Sequence, residues 1–125
     1  MLHGLRVRAF ILGTVVLFSA CVGPDAPDVE VCRDVIGRFC LPPYCAGPQS
    51  RLNLPEMDCE ATLRARTGCD KEDFTFSTPD RERVLACRVP LVRQSTNRSA
   101  KPDCDYADEA LRNCPDLVTF LGGAQ

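Results

Sequence analysis

Nine cysteines in a chain of 125 residues constrain its fold more than any other feature. Eight of them, Cys32, Cys40, Cys45, Cys59, Cys69, Cys87, Cys104 and Cys114, lie in the stretch that follows Cys21. Eight is an even number, suited to four disulfides. The same stretch is lean in strong core formers: Leu, Ile, Val and Phe number 22 of its 104 residues. About a fifth is close to the level below which packing alone does not hold a chain together. Small domains of this kind use staples, and a disulfide contributes typically about 2–4 kcal/mol in an oxidising compartment. The expectation is that these eight cysteines are structural and that reducing them costs the whole fold. Zinc is not expected. Zinc pairs are closely spaced, and the near fit Cys40–Cys45 has no second pair to complete four ligands. The chain has no C-x-x-C, so no thioredoxin-like redox site is expected either.

Apolar spacing between the cysteines is helical. Val31, Cys32, Val35, Ile36, Phe39 and Cys40 form one stripe, preceded by Asp25, Pro27 and Asp28 as starting signals and stopped by Pro42 and Pro43. Cys45 then sits in a loop running to about Leu54. Asn53-Leu54-Pro55-Glu56 resembles a cap, so a second helix is expected over 55–67, with Cys59 and Leu63 inward and Gly68 ending it. Phe74 and Phe76 alternate with polar residues as in a short extended segment. Ser77 or Thr78 would cap a third helix containing Val84, Leu85, Cys87 and Arg88, which Pro90 ends or kinks. Residues 94–102 read as an exposed loop. A fourth helix over 103–114 places Cys104, Ala107, Leu111 and Cys114 on one face, and Leu117, Val118, Phe120 and Leu121 follow in a last short turn. The fold class is therefore all-α: a small disulfide-stapled bundle of three to five short helices spanning residues 29–125.

Geometry already excludes some pairings. Residues ten apart on one straight helix are ~15 Å apart along its axis. A disulfide needs Cα atoms within about 7 Å. Cys104 therefore does not bond Cys114, nor Cys32 Cys40, and the bonds join different elements. Cys59 to Cys69 and Cys104 to Cys114 each enclose nine residues, which resembles the twin C-x9-C pattern of helical hairpin proteins. That resemblance implies pairs Cys59–Cys114 and Cys69–Cys104, although 34 residues separate the two segments here.

The ninth cysteine belongs to a different pattern. Arg6 and Arg8 precede an uncharged, mostly apolar run of twelve residues, Ala9 to Ala20, too short to span a bilayer. This is the layout of a secretory signal peptide, residues 1–20. Phe18-Ser19-Ala20-Cys21 resembles a bacterial lipobox, with Phe18 where Leu is usual. The resemblance implies cleavage before Cys21 and acylation of its thiol and amine. Two or three acyl chains anchor a protein stably where one does not. Val22 is not the aspartate that commonly retains such proteins at the inner membrane, so the resemblance implies the outer membrane. Residues 21–28 would then be the lipidated cysteine and a short tether.

Charge and side-chain inventory narrow the function classes. Losing Arg6 and Arg8 with the signal takes the net charge from −2 to −4, which argues against nucleic acid as a partner. The single histidine, His3, leaves with the same segment, and with it Ser-His-Asp and Cys-His chemistry and His-ligated metals. The acidic groups Asp70, Glu72, Asp73 and Asp103, Asp105, Asp108, Glu109 do not match an EF-hand loop. They read as helix starts and solvated faces. No catalytic residue, metal site or cofactor is expected. The reading is a lipid-anchored outer-membrane or cell-surface protein with a structural or binding role, whose partners are the membrane and an envelope or surface protein. Two alternatives stand beside it: a small cell-envelope hydrolase using paired carboxylates, and a secreted disulfide-rich inhibitor-like protein.

Overall fold

The computed structural model describes residues 22–40, 45–55, 57–96 and 103–123. The expectations for residues 1–21, and for 97–102 within the exposed loop, lie outside the described residues. Among the described residues there are seven helices and no strand: α1 (Asp28–Cys40), α2 (Ala46–Leu52), α3 (Cys59–Thr67), α4 (Arg81–Cys87), α5 (Val89–Thr96), α6 (Asp103–Asn113) and α7 (Pro115–Leu121). The all-helical, disulfide-stapled bundle is as expected from the sequence. It is cut into more and shorter helices than the apolar spacing suggested.

Helix α1 follows its periodicity. Val31, Cys32, Val35, Ile36 and Phe39 are buried, and Cys40 is half-buried. Its acidic first turn and Arg38 in its last turn both complement the helix dipole. Helix α2 replaces the expected loop after Cys45. Its Pro48 lies in the first turn, where a missing N–H costs nothing, and only Pro48 and Leu52 of its residues are buried. Asn53 ends α2 in the left-handed region at φ 49°, with its N–H on Gln49 and Ser50 carbonyls. It therefore closes α2 and does not open the next helix. Helix α3 starts at Cys59, behind Asp58 at φ 62°, and Gly68 at φ 87° terminates it as expected. A side chain at that φ is strained, which is why glycine serves there.

The segment 68–80 turns without regular structure. Phe74 and Phe76 meet edge to face at 5.0 Å between ring centroids, and both lie near Phe120. Asp80, and neither Ser77 nor Thr78, caps α4: its carboxylate accepts from the Arg83 N–H at 2.8 Å. Pro90 does not end the helical course. Arg88 alone separates α4 from α5, and Pro90 falls in the first turn of α5, which continues to Thr96 into the expected loop. Helix α6 stops at Asn113 because Cys114 leaves the helical region at φ −130° and begins α7, with Pro115 at its first position.

The core lies where these helices meet. Ile36, Leu63, Ala107, Ala110, Leu117 and Leu121 are fully buried in one cluster. Ala107 and Ala110 are fully buried on α6, and α5 packs against this helix. Helix α6 also touches α2, α4 and α7, while α1 lies against α3 and α5.

Four disulfides tie this arrangement together: Cys32–Cys69, Cys40–Cys59, Cys45–Cys104 and Cys87–Cys114. Cys104 does not bond Cys114 and Cys32 does not bond Cys40, as helix geometry requires. The pairing implied by the twin C-x9-C resemblance, Cys59–Cys114 and Cys69–Cys104, is not formed. The chain does build a helical hairpin stapled at both ends, but with α1 as the partner of α3. Cys32 to Cys40 covers eight helical steps, and so does Cys59 to Thr67, ~12 Å in each case. Gly68 then turns the chain so that Cys69 falls opposite Cys32. Arg33 secures the same end, donating from Nε to the Cys69 carbonyl at 2.7 Å and pairing with Glu72 at 2.9 Å.

Candidate functional site

The polar groups that α1 and the α4–α5 junction bring together form a cluster outside the apolar core. Asp34 projects from α1 between two guanidinium groups. Arg38 Nε lies 3.0 Å from Asp34 Oδ2, and Arg88 Nη1 also lies 3.0 Å from it. Arg88 is 9 % exposed, which makes it one of only two buried polar residues among those described. A guanidinium removed from water needs a charge partner and hydrogen bonds, and Asp34 supplies the first. Arg88 Nη1 completes the set by donating to the Val22 carbonyl at 3.0 Å. Arg38 Nη1 reaches the Leu91 carbonyl at 3.5 Å, which ties α1 to α5.

A second cluster lies nearly two helical turns earlier on α1. The Asp28 carboxylate accepts from the Phe76 N–H at 2.9 Å and from Arg81 Nη1 at 2.7 Å. These hydrogen bonds, the backbone one foremost, hold its pKa below the ordinary carboxylate value. Arg81 Nη2 also donates to the Pro24 carbonyl. Residues 22–27 are thus gripped at two carbonyls. The Ala26 N–H turns back on the Gly23 carbonyl at 3.1 Å, and Val22 and Ala26 pack against the core. A short tether was expected over residues 21–28; from Val22 onward the segment folds onto the bundle. The reason is a pair of arginines that local sequence spacing does not connect with it.

The candidate site residues from the sequence fall as follows. The eight cysteines of the main stretch are all in disulfides, including Cys40 and Cys45, the near fit to a zinc pair. Cys21 lies outside the described residues. Within the first acidic group Glu72 pairs with Arg33, while Asp70 and Asp73 are exposed. In the second, Asp108 is bracketed by Arg51 at 3.1 Å and Arg112 at 3.0 Å. Among the described residues, one trio of potential metal ligands has donor atoms within 4.8 Å of one another: Cys87, Cys114 and Asp116. Two of these share a disulfide, and Asp116 pairs with Arg83 at 2.9 Å, so the trio offers no thiolate. That arginine, hydrogen-bonded to it, lowers the Asp116 pKa.

Arg88 and Asp34 were missed as site residues in the sequence, yet a signal exists. Val84, Arg88 and Leu91 recur at i, i+4 and i+7, so an arginine occupies an apolar face and requires a buried partner. No family model, curated protein or solved structure matches this chain. Among the described residues, no helix is long and apolar enough to cross a membrane.

Proposed function

We propose that this protein is a lipid-anchored component of the bacterial cell envelope, held at the outer membrane through Cys21 and serving a structural or binding role there. The observation that carries the proposal is the fate of the nine cysteines. Eight are paired with one another in four disulfides, so the cysteine that ends the Phe18-Ser19-Ala20-Cys21 stretch has no sulfur left to join within the chain. An odd thiol in an oxidising compartment is a liability unless it is modified. Placed after a short apolar run with small residues, it is suited to become a thioether bearing diacylglycerol. Val22 in place of aspartate supports the outer membrane as the destination. In the bundle beyond it four cross-links join separate segments, and Asp28, Asp34, Asp108 and Asp116 are each paired with arginine.

The test is direct. Intact mass of the protein from a bacterial membrane fraction is expected to show acyl chains on a chain beginning at Cys21. Cys21→Ser is expected to move the protein out of that fraction. An unmodified, soluble wild-type product beginning elsewhere would sink the proposal and leave the secreted inhibitor-like alternative.

A further inference from the structure

The chain enters the bundle at Val22, and its place of entry is fixed. The Val22 carbonyl accepts from Arg88 Nη1, and Arg88 is buried and salt-bridged to Asp34 at 3.0 Å. The Pro24 carbonyl is held by Arg81, which Asp28 holds in turn. Cys21 is one peptide link from this held carbonyl, and consecutive Cα atoms are only about 3.8 Å apart. Arg88 is also the residue immediately before α5. Val89 and Val92, three apart on the same side of α5, are 44 % and 36 % exposed. Among the described residues they are two of the three exposed large hydrophobic side chains, the third being Met57.

We infer that the Val89–Val92 face of α5 rests on the membrane to which Cys21 is attached, so that the domain is oriented on the bilayer and not merely tied to it. The inference rests on the lipid-anchored reading above. A flexible tether would leave the domain free to turn. Here the carbonyl of the residue next to the anchor is hydrogen-bonded by Arg88, the residue next to Val89, so Val22 lies within the reach of one arginine side chain from the start of α5. Acyl chains entering the bilayer at Cys21 draw that end against the surface. Two valines do not hold a protein on a membrane by themselves. Their contribution is to choose which face lies down.

The chain has no tryptophan, so a single introduced indole reports its surroundings without background. The full-length protein, processed in a bacterium, is reconstituted into phosphatidylethanolamine–phosphatidylglycerol vesicles whose acyl chains carry bromine. Val89→Trp, Val92→Trp and Met57→Trp are compared, the last preceding α3, whose main neighbours are α1 and α7. An interfacial face sits about 5–10 Å into the headgroup and acyl boundary, so the indoles at 89 and 92 are expected to lose roughly half their emission or more. The indole at 57 is expected to keep its emission. Acylated, vesicle-bound protein with unquenched indoles at 89 and 92 overturns the inference and spares the anchor; that is also the result if a partner protein covers this face. Equal quenching at all three positions overturns it as well. A protein without acyl chains overturns both readings, and mass analysis of the same sample separates that case.

Discussion

The disulfide between Cys45 and Cys104 spans 59 residues, whereas that between Cys40 and Cys59 spans 19. In the chain-entropy model the gain from a cross-link grows with the logarithm of the loop it closes. The longer loop corresponds to about 4 kcal/mol and the shorter to about 3 kcal/mol at 25 °C. The logarithm keeps these values nearly unchanged when the other three bridges shorten the effective path. A second effect widens the gap. Helix α2 has only Pro48 and Leu52 buried, and Cys45 at its start is 2 % exposed, so the bridge to α6 is a large part of what docks it. Helices α1 and α3, by contrast, keep Cys32–Cys69 when Cys40–Cys59 is lost. Cys45→Ala with Cys104→Ala is therefore expected to cost about 4 kcal/mol or more, and Cys40→Ala with Cys59→Ala about 1 kcal/mol less. Domains of this size have only about 5–15 kcal/mol in total, so the first double variant should approach the limit of folding. Urea unfolding of the chain from Val22, followed by circular dichroism, measures both. The reasoning is refuted if the Cys45–Cys104 variant loses less than the Cys40–Cys59 variant, because loop length and docking both require the opposite order.

The remaining expectations concern pH, the core and thiol chemistry. Asp28 and Asp116 have folded pKa values depressed by Phe76 N–H with Arg81 and by Arg83 respectively. Their stabilisation is fully present above the unfolded carboxylate value, about 3.9, and is lost as pH falls through the lower folded values. Asp28→Asn should therefore lower stability at neutral pH and flatten the acid limb of the stability curve; an unchanged acid limb would contradict the assignment. Leu117 is fully buried in the central cluster, so Leu117→Ala should cost about 2–5 kcal/mol by chemical denaturation, and a cost near zero would mean the cluster is not the core. Alkylation of native protein without reductant should label none of the eight paired cysteines, with two or more labelled thiols or co-purifying zinc as the contrary result.

What the sequence made legible is what depends on neighbours along the chain. The α1 stripe is read from spacing because five of its apolar residues fall on one face, and the same holds for Ala107, Leu111 and Cys114 near the end of α6. Gly68 is legible as a terminator because a left-handed residue is a local demand. Helix α2 was hidden because it is seven residues long and carries Gly47 and Pro48, residue types that ordinarily mark loops. The start of α3 was misplaced because Asn53 can either open a helix or close one in the left-handed region, and only the presence of α2 decides. Disulfide partners were beyond reach for a stronger reason. Spacing excludes bonds within one helix, but the choice of α1 over α6 as the partner of α3 depends on tertiary packing.

The polar cluster carries this argument one step further. Its two carboxylates, Asp28 and Asp34, stand on α1, and so do Cys32 and Cys40. One helix therefore holds the arginines that grip Val22 and Pro24 and also bears half of the doubly stapled hairpin with α3. Under the anchored reading proposed above, any pull on the lipid reaches the bundle through Val22, Arg88 and Asp34, and so arrives at α1. Helix α1 cannot be peeled away by that pull, because Cys32–Cys69 and Cys40–Cys59 hold it near both ends. Salt bridges of this kind contribute little to stability by themselves, and burying Arg88 carries a desolvation cost. Their value lies in position: they join a segment with little apolar surface of its own to the best-stapled helix in the fold. Packing of Val22 and Ala26 on the core adds to these polar contacts, and the two cross-links hold the helix that receives them.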